Sequence, residues 1–403
     1  MKVFMLVTEL EDYTIAYANG VAAHVPVTLA VPRRRYAGLT RWFDPAVTVR
    51  LMDWPRHRSL ANLTFLGALT RLIRAERPSV IHLLSNNTLW LNLAAPFWRP
   101  VPLVTTVHDV VVHPGDRETG MIPRRATDMI VRQSGDIVVH GEGLKQLAAD
   151  RFGKAPGRIH VLSHPVIDRY AAVARTEGLK RQTREGTFTV LLFGRIFAYK
   201  GLEVLIRAEA LLGRRVPGVR FVIAGRGDDP WMFRSLMGDP ARYDIRNRFI
   251  EDREVAQLFL DADLVVLPYT EASQSGVMNV AAPFGKPLLV TDVGELRASV
   301  EGNGMGLVVP PNDPERLAEA IARLATRPDL RAGLGANAEA WANGPNAPAT
   351  VGAQAERMYR GILQRKAGGL SDMMESAAAR SIAPDGAGHH YRDVASSGDR
   401  TLP

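Results

Sequence analysis

Residues 188–203 read FTVLLFGRIFAYKGLE, an apolar run that stops at Gly194 and gives way near Gly201 to a helical pattern. A short apolar run bounded by glycine suits a strand buried on both faces, as in a parallel sheet covered by helices. The alternation continues downstream. Strands are expected over residues 219–224, 248–250, 264–267, 287–291 and 307–309, and helices over 201–212, 254–260, 277–284 and 315–324. The last helix opens Asn312-Asp313-Pro314-Glu315, a capping residue, a first-turn proline and an early acid. Upstream, strands are expected over 3–8, 27–31, 47–52, 80–84, 103–107, 136–140 and 159–162, with helices over 60–74, 121–133 and 143–152.

Two such series in 403 residues predict an α/β protein of two doubly wound, Rossmann-like domains. Sheets of this kind bind ligands beyond the carboxyl ends of their strands, so two in series would face a central cleft. The boundaries are set at 1–167 for an N-terminal, acceptor-side domain and 188–348 for the C-terminal domain, with a polar linker at 168–187. Residues 349–365 read as a further helix, a candidate to pack back on the first domain. Residues 366–403, rich in Gly, Ser, Ala and Asp, have little to bury and are expected to be disordered. The pair His389-His390 there lacks companion metal ligands.

Composition removes several classes. With no cysteine, disulfides, thiolate metal sites and cysteine nucleophiles are excluded. No run of 18 apolar residues occurs, so no spanning helix is expected, and the opening MKVFMLVTELEDY reads as a first strand of a cytoplasmic protein. Residues 1–180 carry 23 Lys and Arg against 15 Asp and Glu, which accounts for the whole formal charge of +8. Much of this excess lies at 33–58, where Arg33, Arg34, Arg35, Arg41, Arg50, Arg56 and Arg58 alternate with Trp42, Phe43 and Trp54. Cations beside interfacial aromatics suit peripheral contact with an anionic membrane, and a solvated loop is the alternative. No nucleic-acid module surrounds them, so no nucleic-acid partner is expected. Only seven of the 50 cations are Lys, which singles out Lys200 and Lys286.

Four segments carry candidate chemistry. After Gly194, Arg195 and Lys200 sit on a loop between strand and helix, where two cations beside helix amides suit a diphosphate. In PYTEASQSGVMN, Ser275, Gly276 and Val277 offer backbone N–H groups to an anion, and Glu271 suits neutral hydroxyls. Gly225 and Gly227, at the end of FVIAGRGD, permit close approach of a ligand to the backbone. His108, in TTVHD, lies at a strand end of the first domain and could bind hydroxyls or carry a proton. Asp261-Ala-Asp263 falls between a helix and a buried strand and is rejected as a metal site. No metal site and no resident cofactor are expected.

Together these segments resemble family 4 glycosyltransferases of the GT-B architecture. GRIFAYKGLEVLIRA resembles their phosphate segment, FVIAGRGD their strand ending in G-x-G, and ADLVVLPYTEASQSGVMNVAAPFGKPLLVTDVGEL followed by GLVVPPNDPERLAEAI their donor-binding region. The likeness is continuous over 188–324 and looser in the first half. It implies that Arg195 and Lys200 hold the donor diphosphate, Glu271 contacts the transferred sugar, and Ser275, Gly276 and Val277 give amides to phosphate. His108 matches the family's first-domain His. The chain departs from the pattern at Asn279, where a ribose-binding Glu is usual. It departs again at Thr8–Thr14, where a Gly-rich loop is common, and at Glu295, where a second Gly is common.

The resemblance implies a retaining, metal-independent hexosyltransferase that uses a nucleotide sugar as substrate. The basic first domain suggests a saccharide or polyprenyl-linked acceptor in bacterial surface polysaccharide synthesis, at the inner face of the membrane. The alternatives are a nucleotide-sugar epimerase of the same architecture and a non-catalytic saccharide-binding paralogue, the latter prompted by Asn279. A nicotinamide dehydrogenase is disfavoured, because neither half opens with the dinucleotide fingerprint.

Overall fold

The computed structural model describes residues 1–381 except 57–58, 88, 111–122, 183–185, 214 and 217, with no side-chain detail beyond 368. Seven strands form the first sheet: β1 (Val3–Leu6), β2 (Val27–Pro32), β3 (Val47–Met52), β4 (Val80–Leu83), β5 (Leu103–Thr106), β6 (Asp136–Val139) and β7 (Ile159–Val161). Six form the second: β8 (Phe188–Phe193), β9 (Val219–Gly225), β10 (Tyr243–Asn247), β11 (Leu264–Leu267), β12 (Leu288–Thr291) and β13 (Gly306–Val309). The orders are β3-β2-β1-β4-β5-β6-β7 and β10-β9-β8-β11-β12-β13. Every pairing is parallel. Both sheets therefore reverse their strand order at one point, between β1 and β4 and between β8 and β11.

Helices of the first half are α1 (Glu11–Ala22), α2 (Arg33–Tyr36), α3 (Ala61–Glu76), α4 (Leu91–Ala94), α5 (Arg124–Gln133), α6 (Glu142–Phe152) and α7 (Arg169–Thr176). Those of the second are α8 (Leu202–Leu212), α9 (Asp252–Asp261), α10 (Gly276–Ala281), α11 (Leu296–Val300), α12 (Pro314–Thr326), α13 (Pro328–Asn343) and α14 (Pro348–Ser381). One core packs Phe65, Leu69, Leu91, Trp98 and Ile130 against β-strand residues such as Ile81 and Ile137. The C-terminal domain has separate cores on its two faces. These are two Rossmann-like domains facing a cleft. Met1–Arg360 forms one compact unit, and Gly361 onward forms a second. Within the first unit, α14 returns to α1: Tyr359 Oη lies 3.1 Å from Tyr17 Oη and 2.6 Å from His82 Nδ1.

Several expectations need correction. The strand placed at 248–250 lies earlier, as β10 (Tyr243–Asn247), whose side chains alternate about Tyr243 and Ile245 packed on the core. The polar segment 168–187 is not all linker, because α7 occupies Arg169–Thr176. Its charge is buried as an ion pair: Arg169 holds Asp12 of α1 through Nε and Asp252 of α9 at 2.5 and 2.9 Å. Tyr170, Val173 and Ala174 fill the rest of its inner face. The tail expected to be disordered from 366 is helical as far as Ser381, over a stretch rich in good helix formers (MMESAAARS). His389 and His390 lie outside the described residues. Helices α1 and α13 carry too little apolar contrast for the periodicity to mark them.

Lys286, singled out by composition, precedes β12 at the amino edge of the sheet, away from the cleft. It donates to the Leu260 carbonyl at 2.9 Å, and burial pushes its ammonium down to about 8. Asp263 starts β11, accepting the Thr189 amide at 2.9 Å and pairing with Arg181.

Candidate active site

The switch point of the second sheet gathers the sequence-derived candidates. The loops leaving β8 and β11 run side by side, because the Thr270 amide donates to the Tyr199 carbonyl at 2.9 Å. A methyl placed on Gly194 would meet Val277 Cγ2 at 3.5 Å, so the first loop also touches the start of α10. Arg195, Lys200, Ser275, Gly276 and Val277 thus belong to one rim at the carboxyl edge.

Gly225 and Gly227 serve this rim through the backbone. At φ +146° and +154°, they lie where side chains are strained. A Cβ on Gly225 would sit 1.8 Å from the Gly194 carbonyl, and one on Gly227 would sit 2.1 Å from that of Ile196. The two loops are laced by Ile196 N–H to Arg226 O at 2.9 Å and Asp228 N–H to Ile196 O at 2.8 Å. The neighbour that the structure places against these glycines is the adjoining loop.

Lys200 rests on aromatic faces, with Nζ 3.8 Å from the Tyr269 ring centre and 4.9 Å from that of Tyr199. Burial pushes its ammonium below the ordinary lysine value; Arg195 adds to this, while Tyr199 and Asp109 oppose it. Asp109 belongs to the other domain, so its field reaches Lys200 across the cleft. Arg195 acts in the same way on Glu9, beyond β1: burial raises the Glu9 carboxyl, and Asn87, Arg35 and Arg195 pull it back. The guanidinium lies 5.5 Å from the Phe197 ring. Tyr269 Oη meets Ser275 Oγ at 3.0 Å, which leaves the serine hydroxyl engaged and its backbone at the head of α10.

The remaining candidates differ in exposure. Glu271 and Gly276 are exposed. Asn279 is buried, with Nδ2 donating to the Ser275 carbonyl at 3.3 Å and Oδ1 without a partner among the described residues. Its own carbonyl accepts the Ile167 amide at 2.9 Å, from the segment that joins the domains.

His108 precedes Asp109 in the first domain, in company that the sequence reading missed. Its ring centre lies 5.0 Å from His140 and 6.3 Å from His164, and Tyr13 touches all three at 4.6, 5.5 and 4.9 Å. His108 Nε2 donates to the Leu84 carbonyl, His140 Nδ1 to Leu162, and His164 Nδ1 to Pro165, at 2.9, 2.9 and 2.8 Å. Burial depresses all three imidazoles, with His164 held at about 3, so each is neutral. His140 Nε2 is then a buried acceptor without a partner among the described residues. A signal was present: TTVH, IVVH and VLSH each end an apolar run in histidine. Among the described residues no His, Asp and Glu converge as a metal site. Glu295 reaches over from the second domain, and its carboxyl lies against Gly141 and Gly143, where added methyls would sit 2.3 Å from Cδ and 2.6 Å from Oε1.

The model described as Glycosyltransferase Family 4 matches residues 10–169, and that described as Glycosyl transferases group 1 matches residues 187–327. The chain belongs to glycosyltransferase family 4. This glycosyltransferase is 29% identical over 278 residues to the alpha-D-kanosaminyltransferase of Streptomyces kanamyceticus, covering 65% of this chain and 71% of that one. It is 26% identical over 333 residues to the phosphatidyl-myo-inositol mannosyltransferase of Mycobacterium tuberculosis, covering 77% and 84%. Among solved structures, Anabaena Alr3699/HepE in complex with UDP superposes with a TM-score of 0.67 at 18% identity, over 90% of this chain and all of the other. The UDP-GlcNAc 2-epimerase of Neisseria meningitidis shares the fold with a TM-score of 0.57 at 16% identity, again over 90% of this chain. Likeness at these identities is likeness of fold.

Proposed function

We propose that the glycosyltransferase moves a hexosyl unit from a nucleoside diphosphate sugar to a hydroxyl of a saccharide or lipid-linked saccharide. The observation that carries this reading is the meeting of Arg195, Lys200 and the Ser275–Val277 amides at the switch point between β8 and β11. Breaking the bond to the sugar sends an electron pair onto the leaving diphosphate, and the sugar becomes cation-like. Arg195 and Lys200 are held in place to meet that growing charge, at about 3 kcal/mol for each well-placed donor. Lys200, partly desolvated on Tyr269, gains more from an anion than a lysine in water would. Glu271 accepts from hydroxyls of the sugar. We assign the acceptor side to the neutral rim of His108, with Tyr13, His140 and His164 behind it.

The family likeness supports transfer with retention and without a metal ion. The UDP complex of the Anabaena fold relative and the inositol-lipid acceptor of the mycobacterial relative support the two substrate classes. A thermal-shift panel with UDP, GDP, ADP and their hexose conjugates tests the reading. One nucleotide series should raise stability by about 2.7 kcal/mol at 100 times its dissociation constant. No shift with any of them would remove the proposal. Conversion of donor alone into another nucleotide sugar would favour the epimerase.

A further inference from the structure

We propose that the outer face of the N-terminal domain formed by α3, α4 and α5 docks on an anionic lipid bilayer. The juxtaposition is one of exposed apolar side chains with arginines that have no carboxylate partner among the described residues. These helices pack side by side on one face of the first sheet, with α4 and the 3-10 turn Ala95–Trp98 between α3 and α5. Their inward residues share one core, including Phe65, Leu66, Leu69, Leu91, Trp98 and Ile130. Their opposite stripes therefore face outward together.

Those stripes are unusual for a solvated surface. Leu60, Leu63, Leu93 and Phe97 are exposed by 53% to 77%, and Met129 by 42%. On α5 the exposed stripe runs Arg125, Met129, Arg132, spaced by four and three residues. On α3 it runs Leu63, Gly67, Arg71, Arg74. The acids of residues 59–100 and 123–133 are Glu76 and Asp128. Both are committed elsewhere, Glu76 to Lys2 and Arg50 and Asp128 to Arg151. Arg71, Arg74, Arg124, Arg125 and Arg132 have no carboxylate within ion-pair distance among the described residues. Apolar side chains ringed by guanidiniums that lack a carboxylate partner among the described residues are the composition of an interfacial anchor.

The occupant follows from charge. A second copy laid face to face would set these arginines against each other. A bilayer with anionic headgroups complements them and takes up the leucines and Phe97 at the acyl boundary. The stretch 33–58, expected to make this contact, is less suited. Arg33 pairs with Asp53, Arg35 with Glu11 and Arg50 with Glu76, Phe43 is buried, and Trp54 packs on Phe65. Arg58 lies outside the described residues. Helices that follow parallel strands begin at the sheet's carboxyl edge, so Leu60, Leu63, Arg124 and Arg125 lie toward the cleft. Supply of a lipid-linked acceptor at that edge rests on the transfer reading; docking itself does not.

Vesicle flotation of the full chain tests the docking without any turnover. At low salt the protein should float with phosphatidylcholine vesicles that contain phosphatidylglycerol and stay behind with phosphatidylcholine alone. Arg124→Ala with Arg125→Ala should weaken partitioning about 25-fold, roughly fivefold for each charge. Leu63→Ser with Phe97→Ser should abolish flotation while leaving the thermal midpoint unchanged, since both side chains are exposed. Arg33→Ala with Arg34→Ala should leave it within about twofold. Absence of flotation at low salt, or flotation unaffected by the α3–α5 variants, would overturn the proposal. So would light scattering that shows a dimer dispersed by those same variants, which would mark a protein interface instead.

Discussion

The two sheets share a strand order, yet the rims at their carboxyl edges are chemically opposite. The rim of β8 and β11 carries Arg195 and Lys200, with the ammonium laid on Tyr269. The rim of β5, β6 and β7 carries three imidazoles that burial keeps neutral around Tyr13. One topology thus supplies a cationic edge and a neutral one. The fold only decides where loops converge; their residues decide what converges there.

The contrast breaks first at the cations. Arg195→Ala and Lys200→Ala should each lower kcat/KM by about 100-fold or more, the loss expected of one preorganised donor. His140→Leu should leave the affinity for nucleotide within about twofold. Steady-state kinetics with the matched donor reads both, and equal losses at the two rims would erase the distinction.

The glycines of the cationic rim rank next. Gly225→Ala forces a methyl onto the Gly194 carbonyl, where neither backbone can yield, and should cost about 2–4 kcal/mol in urea unfolding. A cost below about 0.5 kcal/mol would mean that the loops separate freely.

The neutral rim should declare itself through pH. His82, fully buried behind it, is held down to about 3 by burial, with His108 and His160 pushing the same way. The unfolded chain protonates this ring near the ordinary value of about 6.5, so between those two limits the unfolded state holds the extra proton. The stability it confers is complete above the upper limit and is lost as pH falls toward the lower one. Its slope approaches about 1.4 kcal/mol per pH unit. Urea midpoints at successive pH values should show the decline, and His82→Asn should make it shallower. Parallel profiles for the two proteins would contradict the assignment.

Gly143→Ala should have the smallest effect. The added methyl would meet the end of the Glu295 side chain, which can swing aside, so the change in stability should stay under about 1 kcal/mol. A larger loss would make the contact of Glu295 with Gly141 and Gly143 a fixed joint between the domains.

The cationic rim was more legible in the sequence than the neutral one, for a physical reason. Arg195, Lys200 and Ser275 sit in continuous strand–loop–helix segments, so each motif shows its own place at the sheet edge. The cluster of His108, His140 and His164 draws one residue from the segment that follows each of three strands, and only the pairing of β5, β6 and β7 brings them together. The helix α7 stayed hidden because Arg169 reads as solvated until Asp12 and Asp252 are seen to bury it. The strand β10 was misplaced because apolar Phe249 and Ile250 outweighed the alternation of Tyr243–Asn247, although Phe249 is exposed. The surface that suits a bilayer was missed for a similar reason, since Arg33, Arg35 and Arg50 look free until their carboxylate partners are placed.

Calorimetric titration of the matched nucleoside diphosphate into the wild type and the Arg195→Ala, Lys200→Ala double variant tests the central claim most directly. Loss of two charge-assisted contacts of about 1.5 kcal/mol each predicts a Kd weakened about 100-fold or more, with the thermal midpoint of the unliganded protein unchanged. A Kd within about threefold of the wild type would show that the pyrophosphate is held somewhere else.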